Sequence, residues 1–257
     1  MFRRRGSGAT AVAEAVEPDA LVLDGVGRSY RRGAVALEPV DLAVPRGRFL
    51  AVMGPSGSGK STLLQCAAGL DRPTSGTVRI GGVAIAPLGE AALTRLRRER
   101  VGFVFQAHNL VPSLSVLENV ALPLLLGGVT DDAGRALRAL DSVGLGERGT
   151  DRPAELSGGQ QQRVAIARAL VTSPEVVFAD EPTGALDPAT AQDVLALLRQ
   201  AVDRDGHTVV MVTHDPAAAA WADEALFLAE GRIATRLTRP DSAQVHGIMR
   251  NLGRRAA

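Results

Sequence analysis

A glycine-rich octapeptide, GPSGSGKS at residues 54–61, constrains this chain more than any other feature of its sequence. It follows Phe49–Met53, an apolar segment typical of a buried strand, and it leads into residues 61–70, whose apolar side chains recur at helical spacing. A strand, a glycine loop and a helix in this order are the context in which the pattern G-x-x-x-x-G-K-[ST] binds phosphate groups. The sequence therefore predicts an α/β domain built around a phosphate-binding loop.

The chemistry of this loop points to a nucleoside triphosphate. Glycines let the backbone curl so that several N–H groups face one anion, and the positive end of the following helix faces the same anion. Lys60 is the only lysine of the chain, and its compact ammonium would reach the β- and γ-phosphates, while the Ser61 hydroxyl would bind Mg²⁺. The predicted contacts are Gly54, Pro55, Ser56, Gly57, Ser58, Gly59, Lys60, Ser61 and Thr62. Kinases, GTPases and many motors share this motif, so the motif alone does not name the reaction.

A second predicted strand, residues 176–179, ends in two adjacent carboxylates, Asp180 and Glu181. Because successive strand side chains point in opposite directions, the two carboxylates should act differently. We expect Asp180 to hold Mg²⁺, as an acidic residue does in other phosphate-loop enzymes. We expect Glu181 to orient and deprotonate the attacking water.

Strands and helices alternate along the chain, which predicts a mainly parallel sheet covered by helices on both faces. A more helical segment interrupts this pattern at about residues 107–172. We predict a domain over residues 20–237, a disordered tail at 1–19, and a tail or short helix at 238–257. The predicted elements are strands at 21–30, 41–44, 49–53, 76–80, 101–105, 176–179, 209–212 and 225–228, and helices at 61–70, 90–100, 115–126, 130–143, 158–170, 189–202 and 217–222, with Thr130, Asp131 and Asp132 as capping residues.

Composition limits the partners that the chain can have. With 257 residues, 46% hydrophobic and 22% charged, it is typical of a globular protein, and its net charge of +1 does not favour a nucleic-acid surface. The single cysteine, Cys66, cannot form an internal disulfide, which suits a reducing compartment. The most apolar run, residues 120–129, is too short to span a bilayer, so a transmembrane helix is not predicted.

A second glycine turn, LSGGQ at residues 156–160, precedes another predicted helix. It resembles the signature motif of ABC ATPases. The family's other motifs also occur, in the family's order, over residues 21–235. Tyr30 resembles the aromatic that stacks on adenine, Gln106 the Q-loop glutamine, and His214 the switch histidine. Residues 184–187 resemble the D-loop, with Gly184 where many members carry serine, and we expect no loss of activity from this difference.

The resemblance implies the ABC ATPase fold, which is a P-loop core with a mainly parallel sheet, an N-terminal antiparallel β portion and a helical insertion. It implies ATP and Mg²⁺ as cofactors, and a homodimer that encloses two ATP molecules. The implied catalytic residues are Glu181, His214, Lys60 and Gln106. The implied metal ligands are Ser61, Gln106 and Asp180. The implied nucleotide contacts beyond the phosphate loop are Tyr30, Gln106, Ser157, Gly158, Gly159, Gln160 and Asp187.

The resemblance also implies a partner and a place. Family members drive an integral membrane permease on a separate chain from the cytoplasmic face of the cell membrane, to which they bind peripherally. The sequence around Gln106 and over residues 182–187 is most similar to that of the branch that serves lipoprotein release, macrolide-type export and related envelope systems. In this family the transported substrate is chosen by the membrane subunit, which is a different chain.

Two alternatives stay open at this point. A soluble ABC ATPase acting on DNA or the ribosome would carry a long coiled coil or a second cassette, and here only about 95 residues separate Lys60 from Leu156. A regulatory module would hold ATP without hydrolysing it, and the intact Glu181 and His214 argue against that function. Measured turnover separates the second alternative from an ATPase.

Overall fold

The computed structural model describes residues 18–30, 33–130 and 134–255. Within them the chain alternates between strands and helices, with a short 3-10 turn at Gly146–Arg148 and another at Pro153–Glu155. The elements are β1 (Leu21–Ser29), β2 (Val35–Val44), β3 (Phe49–Met53), α1 (Lys60–Ala67), β4 (Ser75–Ile80), β5 (Val83–Ala84), α2 (Glu90–Arg100), β6 (Val101–Phe105), α3 (Val116–Leu126), α4 (Arg135–Ser142), α5 (Gly158–Leu170), β7 (Val176–Asp180), α6 (Pro188–Asp203), β8 (Val209–Val212), α7 (Pro216–Ala219), β9 (Glu224–Ala229), β10 (Arg232–Thr238) and α8 (Ser242–Arg255).

Two sheets organise the described residues. The larger has the strand order β10-β9-β3-β8-β7-β6, in which β9 to β6 run parallel and β10 pairs antiparallel with β9. The smaller sheet has the order β2-β1-β4-β5 and is antiparallel. The carboxyl ends of β3, β8, β7 and β6 therefore meet at one edge, which is where parallel α/β sheets bind ligands. This α/β architecture, a mainly parallel sheet with a separate antiparallel sheet and a helical insertion, agrees with the fold class that the sequence predicts.

The central strands are buried on both faces, so their apolar residues serve two cores. In β3, Phe49, Ala51 and Met53 pack into one core with helices α3 to α8. Leu50 and Val52 of the same strand pack into the other core, which α1, α2 and the small sheet complete. The alternation follows from the two-residue period of a strand, and it explains why β3 reads as an unbroken apolar run.

Several predicted boundaries are wrong. The second strand begins at Val35 rather than at residue 41, and the helix predicted over 130–143 covers only Arg135–Ser142. That helix starts after Gly134, which has a left-handed φ of 62°, and Thr130 lies before it in the chain. The predicted capping residues Asp131 and Asp132 lie outside the described residues, as do residues 1–17 of the predicted N-terminal tail.

Two elements near the C-terminus were not predicted as they occur. Strand β10 is mostly exposed and, among the described residues, pairs only with β9, so its side chains lack the apolar alternation that would reveal it. Helix α8 is longer than the short helix predicted, and it buries Val245 and Leu252 in the first core. Within the described residues, no helix is long and apolar enough to cross a bilayer.

Candidate nucleotide site

The phosphate loop lies directly after β3 and turns into α1. Close backbone contacts require two of its three glycines: a Cβ on Gly54 would lie 2.2 Å from the Leu228 carbonyl oxygen, and one on Gly59 would lie 2.6 Å from that of Ala36. Gly54 and Gly59 also have φ angles of 150° and 101°, a region that favours glycine. The loop therefore keeps a compact shape in which the start of α1 would face a bound anion.

Lys60 stands at the first turn of α1 and folds back over the loop. Its Nζ donates hydrogen bonds of 2.8 Å to the carbonyl oxygens of Gly54 and of Pro55. Burial lowers the pKa of the Lys60 ammonium, and the nearby carboxylates of Glu181 and Asp180 counteract that effect. The predicted phosphate-binding cation and the predicted acidic strand end are thus brought together.

The acidic strand end lies beside the loop, at the end of β7. Burial raises the pKa of Asp180, the neighbouring Glu181 raises it further, and Lys60 opposes both. Glu181 leaves the strand with a φ of 47°, and its backbone N–H donates to the Val212 carbonyl at 2.9 Å. A positive φ is unusual for a non-glycine residue, and here it occurs at the end of β7, next to the phosphate loop.

His214 follows β8 and contacts Glu181. Its Nδ1 lies 2.8 Å from Glu181 Oε1. The Glu181 side chain is 21% exposed, whereas that of His214 is 72% exposed. The pair therefore presents an accessible imidazole above a mostly covered carboxylate, which is a suitable arrangement for a base and the group that orients it.

Gln106 follows β6, the next strand along the edge. A Cβ on Gly184 would lie 2.9 Å from Gln106 Nε2, so the Q-loop glutamine rests against the backbone just after Glu181. The glycine that replaces the more usual serine leaves room for this contact. The loops after β3, β8, β7 and β6 bring Lys60, His214, Glu181 and Gln106 to one edge of the sheet.

The signature turn forms a second group of predicted site residues, at the start of α5. The Ser157 hydroxyl accepts a 3.4 Å hydrogen bond from the Gln160 N–H, and Gln160 Oε1 accepts one of 2.9 Å from the Ser157 N–H. This reciprocal capping box holds Gly158 and Gly159 at the first turn. A Cβ on Gly159 would lie 2.1 Å from Thr190 Cγ2, so the turn packs tightly on α6.

Asp187 begins α6 and borders the signature turn. Its Oδ1 accepts hydrogen bonds of 3.1 Å from the N–H groups of Ala189 and Thr190. Hydrogen bonds from Thr190, and then from Ala189, hold the pKa of the Asp187 carboxyl below its usual range. Asp187 is therefore an anionic N-cap that stabilises α6 next to Gly159.

Tyr30 lies just past β1, in a setting that the sequence did not predict. The Arg28 guanidinium sits 4.7 Å from the centre of the Tyr30 ring, and Tyr30 Oη donates to Asp71 Oδ2 at 3.2 Å. Arg28 also donates to both Asp71 oxygens, at 2.7 and 2.8 Å. Arg28 and Asp71 are 43 residues apart, and no local pattern links them. The contacts fix the ring while leaving it 42% exposed.

The strand, glycine loop and helix at the carboxyl edge of a parallel sheet, with an acidic strand end beside them, define a P-loop nucleotide-binding site. The family model described as "ABC transporter" matches residues 37–184, and the chain belongs to this family. It is an ATP-binding subunit of the ABC transporter type, and it hydrolyses ATP.

Similar proteins include stand-alone and fused cassettes. The chain is 46% identical to the ABC transporter ATP-binding protein YvrO of Bacillus subtilis, over 83% of this chain and 95% of that protein. It is 48% identical to the lipoprotein-releasing system ATP-binding protein LolD of Chromohalobacter salexigens, over 83% of this chain and 92% of that protein. It is 46% identical to the macrolide export ATP-binding/permease protein MacB of Marinobacter nauticus, over 82% of this chain but only 33% of that protein.

A solved structure gives the same fold. The dimeric ATP-binding cassette MJ0796, bound to ADP and Pi in a post-hydrolysis state, superposes with a TM-score of 0.77 at 41% identity. The match covers 85% of this chain and 98% of that cassette.

Proposed function

We propose that two copies of this chain close around two ATP molecules and drive a separate membrane-spanning subunit from the cytoplasmic face of the membrane. The observation that carries the proposal is a groove of about 590 Å³ that shares strand β6 with the nucleotide site. Phe103 and Phe105 of β6 line this groove, and the next residue is Gln106. A segment seated in the groove would therefore press on the strand that carries a proposed catalytic residue.

The groove has the composition of a docking surface for an apolar helix end. Its lining combines apolar side chains with three arginines, and Leu126 at its rim is 63% exposed. The guanidinium of Arg168 donates to the carbonyl oxygens of His108 and Asn109, at 2.8 and 2.6 Å, and so holds the loop after Gln106 against α5. Its exposed apolar side chains would suit contact with an apolar segment of the membrane partner.

The nucleotide contacts proposed for the phosphate loop follow from its geometry. The backbone of Gly54–Thr62 and the start of α1 would hold the β- and γ-phosphates, and the Lys60 ammonium would move from its own loop carbonyls to the phosphate oxygens. Tyr30 would stack on adenine with its exposed face, because Arg28 covers the other. These contacts position ATP but supply little of the chemistry.

The oxygen donors near the phosphate loop fit Mg²⁺. Ser61, Asp180 and Gln106 offer a hydroxyl, a carboxylate and an amide, which are ligands that this ion prefers. Among the described residues no group of three or more His, Cys, Asp or Glu side chains converges as a metal cage, which agrees with an ion held mainly by substrate phosphates and water. When bound, Mg²⁺ would neutralise charge on the transferred phosphoryl group.

Hydrolysis would use the side chains at the sheet edge. Glu181 would accept a proton from the attacking water, and His214, 2.8 Å from Glu181, would orient that carboxylate and face the γ-phosphate. Gln106 would align the water and contact Mg²⁺. In the closed pair, Ser157, Gly158, Gly159 and Gln160 of a second copy would cover the γ-phosphate with their N–H groups, and Asp187 would border them.

The names of similar proteins favour a cell-envelope function. Relatives carry the names of lipoprotein-releasing and macrolide export systems, and the similar solved cassettes are dimers. We propose the export or envelope-remodelling class for this chain, with substrate choice left to the membrane partner. The DNA- or ribosome-linked alternative has no such support.

Replacing Tyr30 by alanine should raise the KM for ATP about tenfold, the worth of one base stacked on an aromatic ring, with little change in kcat. Tyr30→Phe is the matched control, because it keeps the ring and loses only the hydrogen bond to Asp71. Steady-state ATPase assays over a range of ATP concentrations test both variants. An unchanged KM for Tyr30→Ala would exclude adenine stacking on this residue.

Leu126→Asp should abolish recovery of a membrane partner while basal ATPase activity stays intact, because an ionised carboxylate cannot enter an apolar contact. The measurement is co-purification from membranes with a tagged chain, followed by Mg²⁺-dependent turnover of what is recovered. Leu137→Asp is the control, since Leu137 is also exposed, at 45%, but does not line the groove. Turnover accompanied by ribosomes or DNA, with no multi-spanning protein, would refute the transporter function.

A further inference from the structure

A buried amide, Gln162, lies between the two strand ends that carry Gln106 and Glu181. Gln162 belongs to the first turns of α5 and is fully buried, at 0% exposure. Its Nε2 donates to the carbonyl oxygen of Pro182 at 2.7 Å and to that of Phe105 at 3.3 Å. Phe105 immediately precedes Gln106, and Pro182 immediately follows Glu181. One side chain thus holds the backbone next to both proposed catalytic residues.

The orientation of this amide is determined by its neighbours. Two carbonyl oxygens flank one terminal atom, so that atom must be the nitrogen, which carries two hydrogens to donate. The other terminal atom, Oε1, is buried and accepts no hydrogen bond within the described part of the chain. A buried acceptor without a partner is unusual in a folded protein and requires an explanation. Packing alone does not require an amide here, because an apolar side chain of the same length would fill the space.

The amide acts where the sheet itself stops connecting the two segments. Phe105 and Asp180 are the last register pair of β6 and β7, and beyond them the chain turns into the Gln106 loop on one side and the Glu181 turn on the other. Gln162 joins the two backbones past that point. Gln106 Nε2 also rests against Gly184, so the same two segments are in contact on their other side.

Helix α5 extends this connection to the signature turn. The helix begins at the capped Ser157–Gln160 turn, and Gln162 lies little more than one turn further along. We propose that Gln162 is a positioning residue, which sets Gln106 and Glu181 at a fixed separation and ties both to the position of the signature helix. Hydrolysis in one chain then depends on where its own α5 is held by a second copy. This inference rests on the proposed roles of Gln106 and Glu181.

The direct test is the nearly isosteric variant Gln162→Met, which removes both donated hydrogen bonds and keeps the length of the side chain. A misplacement of the catalytic groups by a fraction of an ångström should lower kcat about 10- to 100-fold. The KM for ATP and the dissociation constant of a fluorescent ATP analogue should change less than about threefold, since the phosphate loop and Tyr30, which would supply most of the nucleotide contacts, are left unchanged. A fall in affinity equal to the fall in kcat would overturn the inference.

A second variant gives a readout that loss of packing cannot produce. In Gln162→Glu the carboxyl can donate one hydrogen bond while it is protonated and none once it is ionised, when both carbonyl oxygens repel it. Its kcat relative to the wild type should therefore fall as the pH rises through the carboxyl titration. For Gln162→Met the same ratio should be independent of pH. A pH-independent ratio for both variants would contradict a hydrogen-bonding role.

The matched control is Asn119→Leu, which removes another fully buried amide. Asn119 bridges the carbonyl oxygens of Val111, Leu114 and Ser115 inside the helical insertion. Thermal unfolding should show that this variant loses stability, while its basal kcat remains that of the wild type. If Asn119→Leu lowers kcat as much as Gln162→Met does, general loosening explains both and the inference fails.

Glu181→Gln, assayed in parallel, separates failure of the proposed catalytic roles from failure of the positioning role. Normal turnover by Glu181→Gln refutes the proposed catalytic roles themselves. An inactive Glu181→Gln beside a fully active Gln162→Met refutes only the positioning role.

Discussion

Replacing Glu181 by glutamine should leave ATP binding intact and slow hydrolysis by a factor of about 10² to 10⁴, the range expected for loss of a general base. Glutamine keeps the size of the side chain but cannot accept a proton from water. The Glu181 carboxylate is mostly covered and lies 2.8 Å from the His214 imidazole, so its position is fixed by protein contacts.

The variant should also accumulate as an ATP-bound dimer, because closure no longer ends in hydrolysis. Size-exclusion chromatography with and without ATP, together with a phosphate-release assay, measures both effects. Glu90→Gln is a suitable control: Glu90 is an exposed carboxylate on α2 that pairs with Arg72. Normal turnover by Glu181→Gln would exclude Glu181 as the base.

Replacing Lys60 by alanine should weaken ATP binding about 10- to 100-fold, which is the loss expected when one charge-assisted hydrogen-bond partner of a phosphate is removed. The positive charge of the Lys60 ammonium matters here because the phosphate loop also lies beside two carboxylates. Without the ammonium, the carboxylates of Asp180 and Glu181 would repel an incoming triphosphate more strongly. Hydrolysis at low ATP concentration should fall at least as far as binding.

Lys60→Arg tests whether charge alone is sufficient. The guanidinium is planar and larger than an ammonium, and the wild-type Nζ occupies a space 2.8 Å from two loop carbonyls. We therefore expect Lys60→Arg to remain impaired. Equilibrium titration with a fluorescent ATP analogue measures both variants, and thermal unfolding reveals any loss of fold. Wild-type affinity for Lys60→Ala would remove Lys60 from the phosphate site.

Much of the site could be predicted because its parts are contiguous in the chain. The phosphate loop, the acidic strand end and the signature turn each lie within a few residues, where backbone conformation and local capping dominate. Alternating strands and helices then required a parallel sheet, and a parallel sheet places the ends of its strands along one edge. Gln106, Glu181 and His214 follow three such strands, so their proximity follows from the pattern.

Tertiary structure alone decided the features that depend on residues far apart in the chain. The Tyr30 ring is fixed by Arg28 and by Asp71, which lies 41 residues away from it, and Gln162 reaches carbonyl oxygens 57 and 20 residues away. Strand β10 gave no signal because it is an exposed edge strand without apolar alternation. The sequence by itself determined the phosphate loop, the placement of the proposed site residues directly after predicted strands, and the family. Local backbone geometry and periodicity encode these features. Only the folded chain decided which side chains hold those parts in place, because such contacts depend on the distances that packing creates between segments with no shared pattern.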